Sequence, residues 1–341
     1  MTAIPYGVTQ GTADAEPLRW TDDGWALEIE WPAREVPLDE IMRLAATGAP
    51  LTSAEVPPWV PPELGALLAD RSWLDHRPDG TRRCVAALRR QEHGVRLRRL
   101  ALRRADRPSV SVVMSSKRPH LVGFALAQMA RQRHVEVEVV LGLHGVPLEE
   151  VRQAVASCPL PLTCVEADAD VPFGEVLNRA AARASGAYLT KWDDDDWYGP
   201  EHLSDLLLAV ADTGADIVGT TAEFFYLEPL DVTIRRTTFA SGAAYPSEVW
   251  ADHVAGGTIL LATDAFHRLG GFAAEPRAVD RLFLKAARQA GAGVYRTHGL
   301  GYVLRRTLGD EHTWQLPLAH FLRVASSQWR GFRPSQLLEA A

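Results

Sequence analysis

The chain has 341 residues, is 47% hydrophobic and 23% charged, and carries a formal net charge of -7 at pH 7. This is globular composition, long enough for two domains or one large domain with appendages. The acidic balance, with no basic stripe interleaved with aromatics, argues against nucleic acid as a partner. No window approaches the length of apolar sequence that spans a bilayer.

The start, "MTAIPYGVTQGTADAEP", lacks the basic and apolar pattern of a signal peptide, so a cytoplasmic protein is expected. Cys84, Cys158 and Cys164 match no metal knuckle and read as reduced thiols. Residues 1–107 form a predicted accessory unit of α+β character. "WALEIEW" alternates as a strand, and "LDEIMRLAAT" has helical spacing with Leu38, Ile41, Met42 and Ala45 on one face. The proline-rich "EVPPWVPPELGALLAD" runs into a short helix. The Arg-dense segment 82–104 predicts a helix with a solvated basic face, and peripheral contact with an anionic membrane is the sharper alternative.

From Pro108 the pattern changes. "SVSVVM" (109–114) predicts a strand bounded by the "SSKRP" turn. A helix follows over 120–132, then strand "VEVEVVLGL", helix "PLEEVRQAVAS", strand "LTCVEA", helix "FGEVLNRAAARASG" and strand "AYLTKW". Helix "PEHLSDLLLAVADTG" has Gly214 in C-cap position, and "ADIVGT" is the next strand. Strands alternating with helices of this length predict a doubly wound, Rossmann-like, mostly parallel α/β sheet, with its ligands at the carboxyl ends of the strands. Segment 222–236 reads as a strand pair and 320–332 as an amphipathic helix. Residues 108–314 are then the main domain and 315–341 a helical extension.

One such strand end carries Asp193, Asp194, Asp195 and Asp196 in a row. Extended chain would place Asp193 and Asp195 on one side and Asp194 and Asp196 on the other. Neighbouring carboxylates repel by roughly 1 kcal/mol even at water-like dielectric. A hard divalent cation, Mg²⁺ or Mn²⁺, would reverse that sign. The alternative is an acidic turn in which one Asp caps the next helix. A single cap does not need four acids, and Trp192, Trp197 and Tyr198 beside them speak against a fully solvated turn.

Around these residues the chain, from Val110 to about Trp314, resembles the family 2 glycosyltransferases, which have the GT-A fold. The resemblance is carried by "VSVVMSSKRP", by "LNRAAARASGAYLTKWDDDDWYGPEHL", by "GGTILLATDAFHRLGGF" with "VDRLFLKAARQAG", and by "HGLGYVLRRTLGDEHTW". It implies a metal-dependent, inverting transferase that uses a nucleotide-diphospho-sugar. Asp193 and Asp195 would be the Asp-x-Asp pair: Asp195 on the metal, Asp193 on the ribose or the metal's water shell. Asp194 and Asp196 would be second choices, Asp196 otherwise holding the start of the next helix, and His312 would be a third metal ligand or a packing histidine. Asp280 matches the base position, with helix capping as its alternative role. Asn178 lies in the Asn-containing helix that the resemblance links to the cofactor site.

The chain departs from the family after its first two strands, where "SSKRP" and "LGLHG" stand. Ser115, Lys117 and Arg118 are the contacts expected for base or phosphate, and His144 replaces an acidic pair. Tyr226, Arg235, Arg236 and His253 are candidates on the acceptor side. A sugar nucleotidyltransferase would need a Gly-rich loop after the first strand, and "SSKRPH" contains no glycine. A catalytically silent scaffold is the non-enzymatic alternative.

Overall fold

The computed structural model describes residues 18–20, 25–74, 85–103, 105–239, 241–307 and 316–339. His312 and Cys84 lie outside the described residues. The chain divides into two compact units, Met1–Ala105 and Asp106–Ala341.

In the first unit, β1 (Leu18–Trp20), β2 (Leu27–Ile29) and β3 (Leu51–Thr52) form a sheet in that order. Helices α1 (Asp39–Ala46), α2 (Pro62–Ala69) and α3 (Val85–Leu102) accompany it. Ile41, Leu44 and Ala45 of α1 face the core with Leu27, Leu51, Leu64 and Leu97. Of the stripe read from the sequence, Ile41 and Ala45 are buried and Leu38 and Met42 are only partly buried, while Leu44, outside that stripe, is buried. The basic face expected on α3 is not solvated: Arg90, Arg98 and Arg99 are buried. Arg90 lies over the Trp25 ring, 4.7 Å from its centre, and Arg89 pairs with the buried Glu92. Guanidinium groups can enter a core when a ring face or a carboxylate replaces water.

The second unit continues with β4 (Ser109–Ser116), α4 (Pro119–Ala130), β5 (Glu136–His144), α5 (Leu148–Ala156), β6 (Leu162–Ala167), α6 (Phe173–Ala181), β7 (Tyr188–Trp192), β8 (Trp197–Tyr198), α7 (His202–Thr213) and β9 (Ile217–Thr220). Then come β10 (Phe224–Leu227), β11 (Val232–Arg235), β12 (Val249–Trp250), β13 (Leu260–Ala262), α8 (Thr263–Arg268), α9 (Val279–Gln289), β14 (Val294–Thr297), β15 (Tyr302–Arg306), α10 (Leu318–Val324) and β16 (Ser327–Arg330).

The main sheet runs β12-β14-β9-β13-β7-β4-β5-β6. β4 pairs in parallel with both β5 and β7, β5 with β6, and β9 with β14, while β13 is antiparallel to β7 and β9. Both faces of β4 are covered, as its run of apolar residues requires. Val112 and Met114 join one core with Val122, Met129, Val151 and Leu206. Val113 joins another with Leu177, Ala180, Phe266 and Phe283. The sheet is therefore wound on both sides, as expected, and β4 lies at the switch point between β5 and β7.

A smaller sheet runs β16-β11-β10-β15-β8. The helix expected over 320–332 ends at Val324, and Ser327–Arg330 is a strand antiparallel to β11. The open edge of β11 takes those backbone groups, beginning with the Ser326 N–H on Arg235 O at 2.7 Å. Residues 316–339 therefore belong partly to this sheet. Among the described residues no helix is long and apolar enough to cross a membrane.

Candidate functional site

The four aspartates join the two sheets. β7 ends at Trp192 in the large sheet, and β8 starts at Trp197 in the small one. Residues 194–196 form a bend, so the side-to-side alternation of extended chain does not hold. Each carboxylate turns to its own partners.

Asp196 is buried and faces the small sheet. It accepts the Tyr302 hydroxyl and, at 2.9 Å, the Arg305 N–H. Burial pushes its carboxyl upward, and the Asp195 charge adds to that. It does not hold the start of α7, whose N-cap, Glu201, makes no side-chain cap bond. Gln128 braces the same bend. Its Nε2 donates to Asp196 O at 2.9 Å, and its Oε1 accepts the Tyr198 N–H at 2.8 Å. Asp196→Asn puts an amide N–H against one of two donors. The expected cost is about 1 to 3 kcal/mol of stability, seen as a lower urea midpoint.

Asp194 and Asp195 share one cation. Arg118, in the turn after β4, bonds Asp194 through Nη2 and Nε and reaches Asp195 Oδ2 with Nη1 at 3.1 Å. Ser116 Oγ donates to Asp194 Oδ2 at 2.5 Å. Burial alone would lower the Arg118 pKa, but the two carboxylates outweigh it and raise it. Burial raises Asp194 despite Arg118.

Asp193 turns to the other side of the tip. Lys191, the fourth residue of β7, has a side chain only 2% exposed. Its Nζ lies 2.5 Å from Asp193 Oδ1 and 3.3 Å from Asp280 Oδ1. Burial favours the neutral amine, yet the two carboxylates overcome it and hold the ammonium charged. Lys191 thus ties the strand tip to α9. Tyr198 closes the arrangement: its hydroxyl donates to Gly257 O at 2.9 Å and accepts the Asp193 N–H at 3.0 Å.

Asp280 sits in the first turn of α9, one residue past its start, and Ala278 is the N-cap without a side-chain bond. Helix capping is therefore not its structural task. Oδ1 is sealed on the Lys191 side, while a third of the side chain, 33%, remains exposed. A Cβ on Gly256 would collide with Oδ2, and one on Gly257 would press on Asp193 and Tyr198. The Gly256–Gly257 backbone is thus a wall against which both acids rest, open because it has no side chains. Burial raises the Asp280 pKa, Lys191 pulls it down, Asp193 pushes it up, and the net direction is up.

The other expected residues are scattered. Ser115, one residue before the end of β4, has its Oγ buried and unbonded, and Lys117 is exposed just beyond the strand. His144 ends β5 buried, with its pKa lowered by burial and by Lys117. Asn178 on α6 spends both ends of its amide on Phe272: Nδ2 donates to the carbonyl at 2.8 Å and Oδ1 accepts the N–H at 2.9 Å. It fastens the Gly270–Gly271 turn. Tyr226 donates to Asp231, and Arg235 pairs with Glu223 at 2.9 Å. Sequence reasoning missed Lys191, Tyr198, Tyr302 and the polar role of Gln128. The available signal for Lys191 was a charged residue inside an apolar strand.

These donors suit a hard divalent cation: oxygen ligands only, with Asp194 and Asp195 already converging on one positive group. Among the described residues no three His, Cys, Asp or Glu side chains are gathered into a cation cage.

Residues 112–279 match the family model described as glycosyl transferase family 2. The match takes in β4 from Val112 onward, the aspartate tip and the Gly256–Gly257 wall, and ends one residue before Asp280. The second unit therefore contains a stretch that matches the family 2 glycosyltransferases. No curated protein matches the chain in sequence. Among solved structures, the chain is similar to S. aureus TarS 1-349 in complex with UDP-GlcNAc, at 16% identity and a TM-score of 0.44, over 63% of this chain and 64% of that one. It is also similar to the mannosyltransferase PcManGT from Pyrobaculum calidifontis in complex with GDP-Man and Mn²⁺, at 19% identity and a TM-score of 0.46, over 80% of this chain and 69% of that one. The match thus spans less than two thirds of the TarS fragment.

Proposed function

We propose that the protein moves a glycosyl group from a nucleotide-diphospho-sugar to an acceptor hydroxyl in one displacement that inverts the anomeric centre. The observation that supports this best is the Lys191 bridge. It holds an acidic strand tip and a separate, partly exposed carboxylate on one wall.

The roles follow from placement. Asp280 Oδ2 takes the proton of the acceptor hydroxyl as that oxygen bonds to the anomeric carbon. The bond from that carbon to the leaving diphosphate breaks in the same step, through a transition state with oxocarbenium character. Lys191 keeps the base in register and limits the rise of its pKa. Asp194 and Asp195 would hold a divalent cation, Mg²⁺ or Mn²⁺, with Asp193 facing the ribose or the metal's water shell. When bound, such a cation stabilises the charge on the departing diphosphate as a Lewis acid. Arg118 neutralises Asp194 and Asp195 without it, and its fork also suits phosphate oxygens. Ser115 and Lys117, at the end of β4, are the remaining contacts for the nucleotide.

A thermal-shift panel of nucleoside diphosphates with and without Mn²⁺ tests this reading. A true ligand at 100 times its Kd should stabilise the protein by roughly 2.7 kcal/mol, and more weakly without the cation. Product analysis should find nucleoside diphosphate and not pyrophosphate. If no nucleoside diphosphate stabilises the protein under either condition, the reading fails.

A further inference from the structure

Arg236 and Arg296 converge on one tyrosine ring without a carboxylate to neutralise them. Arg236 follows β11, and its guanidinium carbon lies 4.7 Å from the centre of the Tyr245 ring. Arg296 of β14 lies 4.5 Å from the same centre. The His253 ring stacks on Tyr245 at 5.9 Å with planes 12° apart. Arg236 also lies over Phe225, as does Arg306.

The bonds of the two guanidinium groups go to neutral oxygens. Arg236 Nη2 donates to Ala222 O at 2.9 Å, and its Nε is buried without a hydrogen-bond partner. Arg296 donates to Pro246 O at 2.8 Å and His253 O at 3.3 Å. The nearby acids are engaged elsewhere. Glu223 pairs with Arg235, and Asp252 with Arg288. Glu248 accepts from Tyr295, Thr297 and His298. Among the described residues no carboxylate forms an ion pair with Arg236 or Arg296.

Burial lowers both arginines: Arg296 and Arg306 press further on Arg236, while Tyr245 and the Asp252 charge offset part of the effect on Arg296. His253 is lowered by burial and then by the same two arginines. Arg296 is only 4% exposed, whereas Arg236 is half-buried and His253 opens to solvent. Uncompensated buried cations are costly unless a partner arrives. Guanidinium forks match phosphate and carboxylate oxygens.

The cluster is tied along the chain to the wall on which the proposed base rests. Arg296 holds the carbonyl of His253, and three residues further on, Gly256 receives the Asp280 carboxylate. Between them the Ala255 N–H bonds Thr220 O at 2.9 Å, which fixes the segment against β9.

We propose that Arg236, Arg296 and His253 form a binding site for an anionic group, phosphate or carboxylate, carried by the acceptor. The proposal rests on the reading of Asp280 as the base. It names the acceptor's class: a glycan, polyol or small molecule bearing negative charge near the hydroxyl that is glycosylated.

Isothermal titration calorimetry on the full chain at low ionic strength tests it, with inorganic phosphate and glucuronate as separate probes. At least one should bind once per chain, and the stronger probe identifies which acid the site prefers. Arg236→Gln, checked for fold by circular dichroism, should weaken that binding by about tenfold or more, as loss of a charge-assisted contact implies. Arg236→Lys should recover part of it. The affinity for UDP with Mn²⁺ should be unchanged in both variants. The proposal is overturned if neither probe binds, if Arg236→Gln binds as well as wild type, or if the variant loses UDP affinity in parallel. The last result would assign the guanidinium to the donor side. Failure of the transferase reading shows separately, as wild-type protein that binds no nucleoside diphosphate.

Discussion

Replacing Asp280 by Asn is expected to slow transfer by roughly two to four orders of magnitude, the usual contribution of a positioned general base. Nucleotide affinity should stay close to wild type. The reason lies in the division of the site. Asp280 contacts Lys191 and the Gly256 backbone, whereas Asp194 and Asp195 gather around Arg118 at the other side of the tip. Asn preserves the shape that rests on Gly256, and Lys191 keeps Asp193 at 2.5 Å. The base works deprotonated, and burial raises its pKa above the ordinary 3.8. The rate should therefore fall as pH drops, along an acid limb that lies above the usual aspartate range. In the Asn variant that limb should disappear. Turnover at the wild-type level would remove Asp280 from the mechanism.

The second large effect is expected at Lys191, a residue that would touch no substrate. Lys191→Met strands two carboxylates that now share one ammonium. Removing one partner of a buried ion pair costs roughly 3 to 5 kcal/mol. The lower end applies, because Asp193 and Asp280 remain about a third exposed. The sign with pH is fixed by the direction of the shift. The lysine pKa is raised above its ordinary 10.5. Its contribution is therefore complete at pH 7 and is lost only when pH climbs beyond that value towards the raised one. Urea denaturation at pH 7 should show the full loss. The catalytic consequence is separate. Lys191 is the contribution that lowers the Asp280 pKa, so without it the acid limb of kcat/KM should move to higher pH. A variant with less stability and an unmoved limb would reduce Lys191 to packing alone.

The winding of the main domain was legible because its signals are local. "SVSVVM" reads as a buried strand, and Val112 and Val113 prove to serve opposite cores. Gly214 was legible for the same reason: it adopts φ 66 and closes α7 as a C-cap glycine does. The aspartate tip was legible as a charge anomaly, but its geometry was not. Alternation holds only in extended chain, and residues 194–196 bend. Which acid meets which partner depends on Arg118, Lys191 and Tyr302, placed there by pairings distant in sequence.

Two other misreadings have the same origin. The basic stretch in α3 looked solvated because sequence shows charge but not Trp25 or Glu92 waiting for it. The tail looked helical throughout because amphipathic spacing over "HFLRV" was carried onward, while the edge of β11 supplied a ladder for Ser327–Arg330.

The passage from β7 to β8 is pinned at both ends in different sheets, and Gln128 clamps it from α4. Its backbone thus has little conformational freedom left to surrender. A cation arriving there meets carboxylates that are already ordered, so the entropic penalty of capture should be small, and calorimetry should find it so. The same rigidity leaves no slack for a residue inserted between Trp192 and Trp197, which would throw the two sheets out of register.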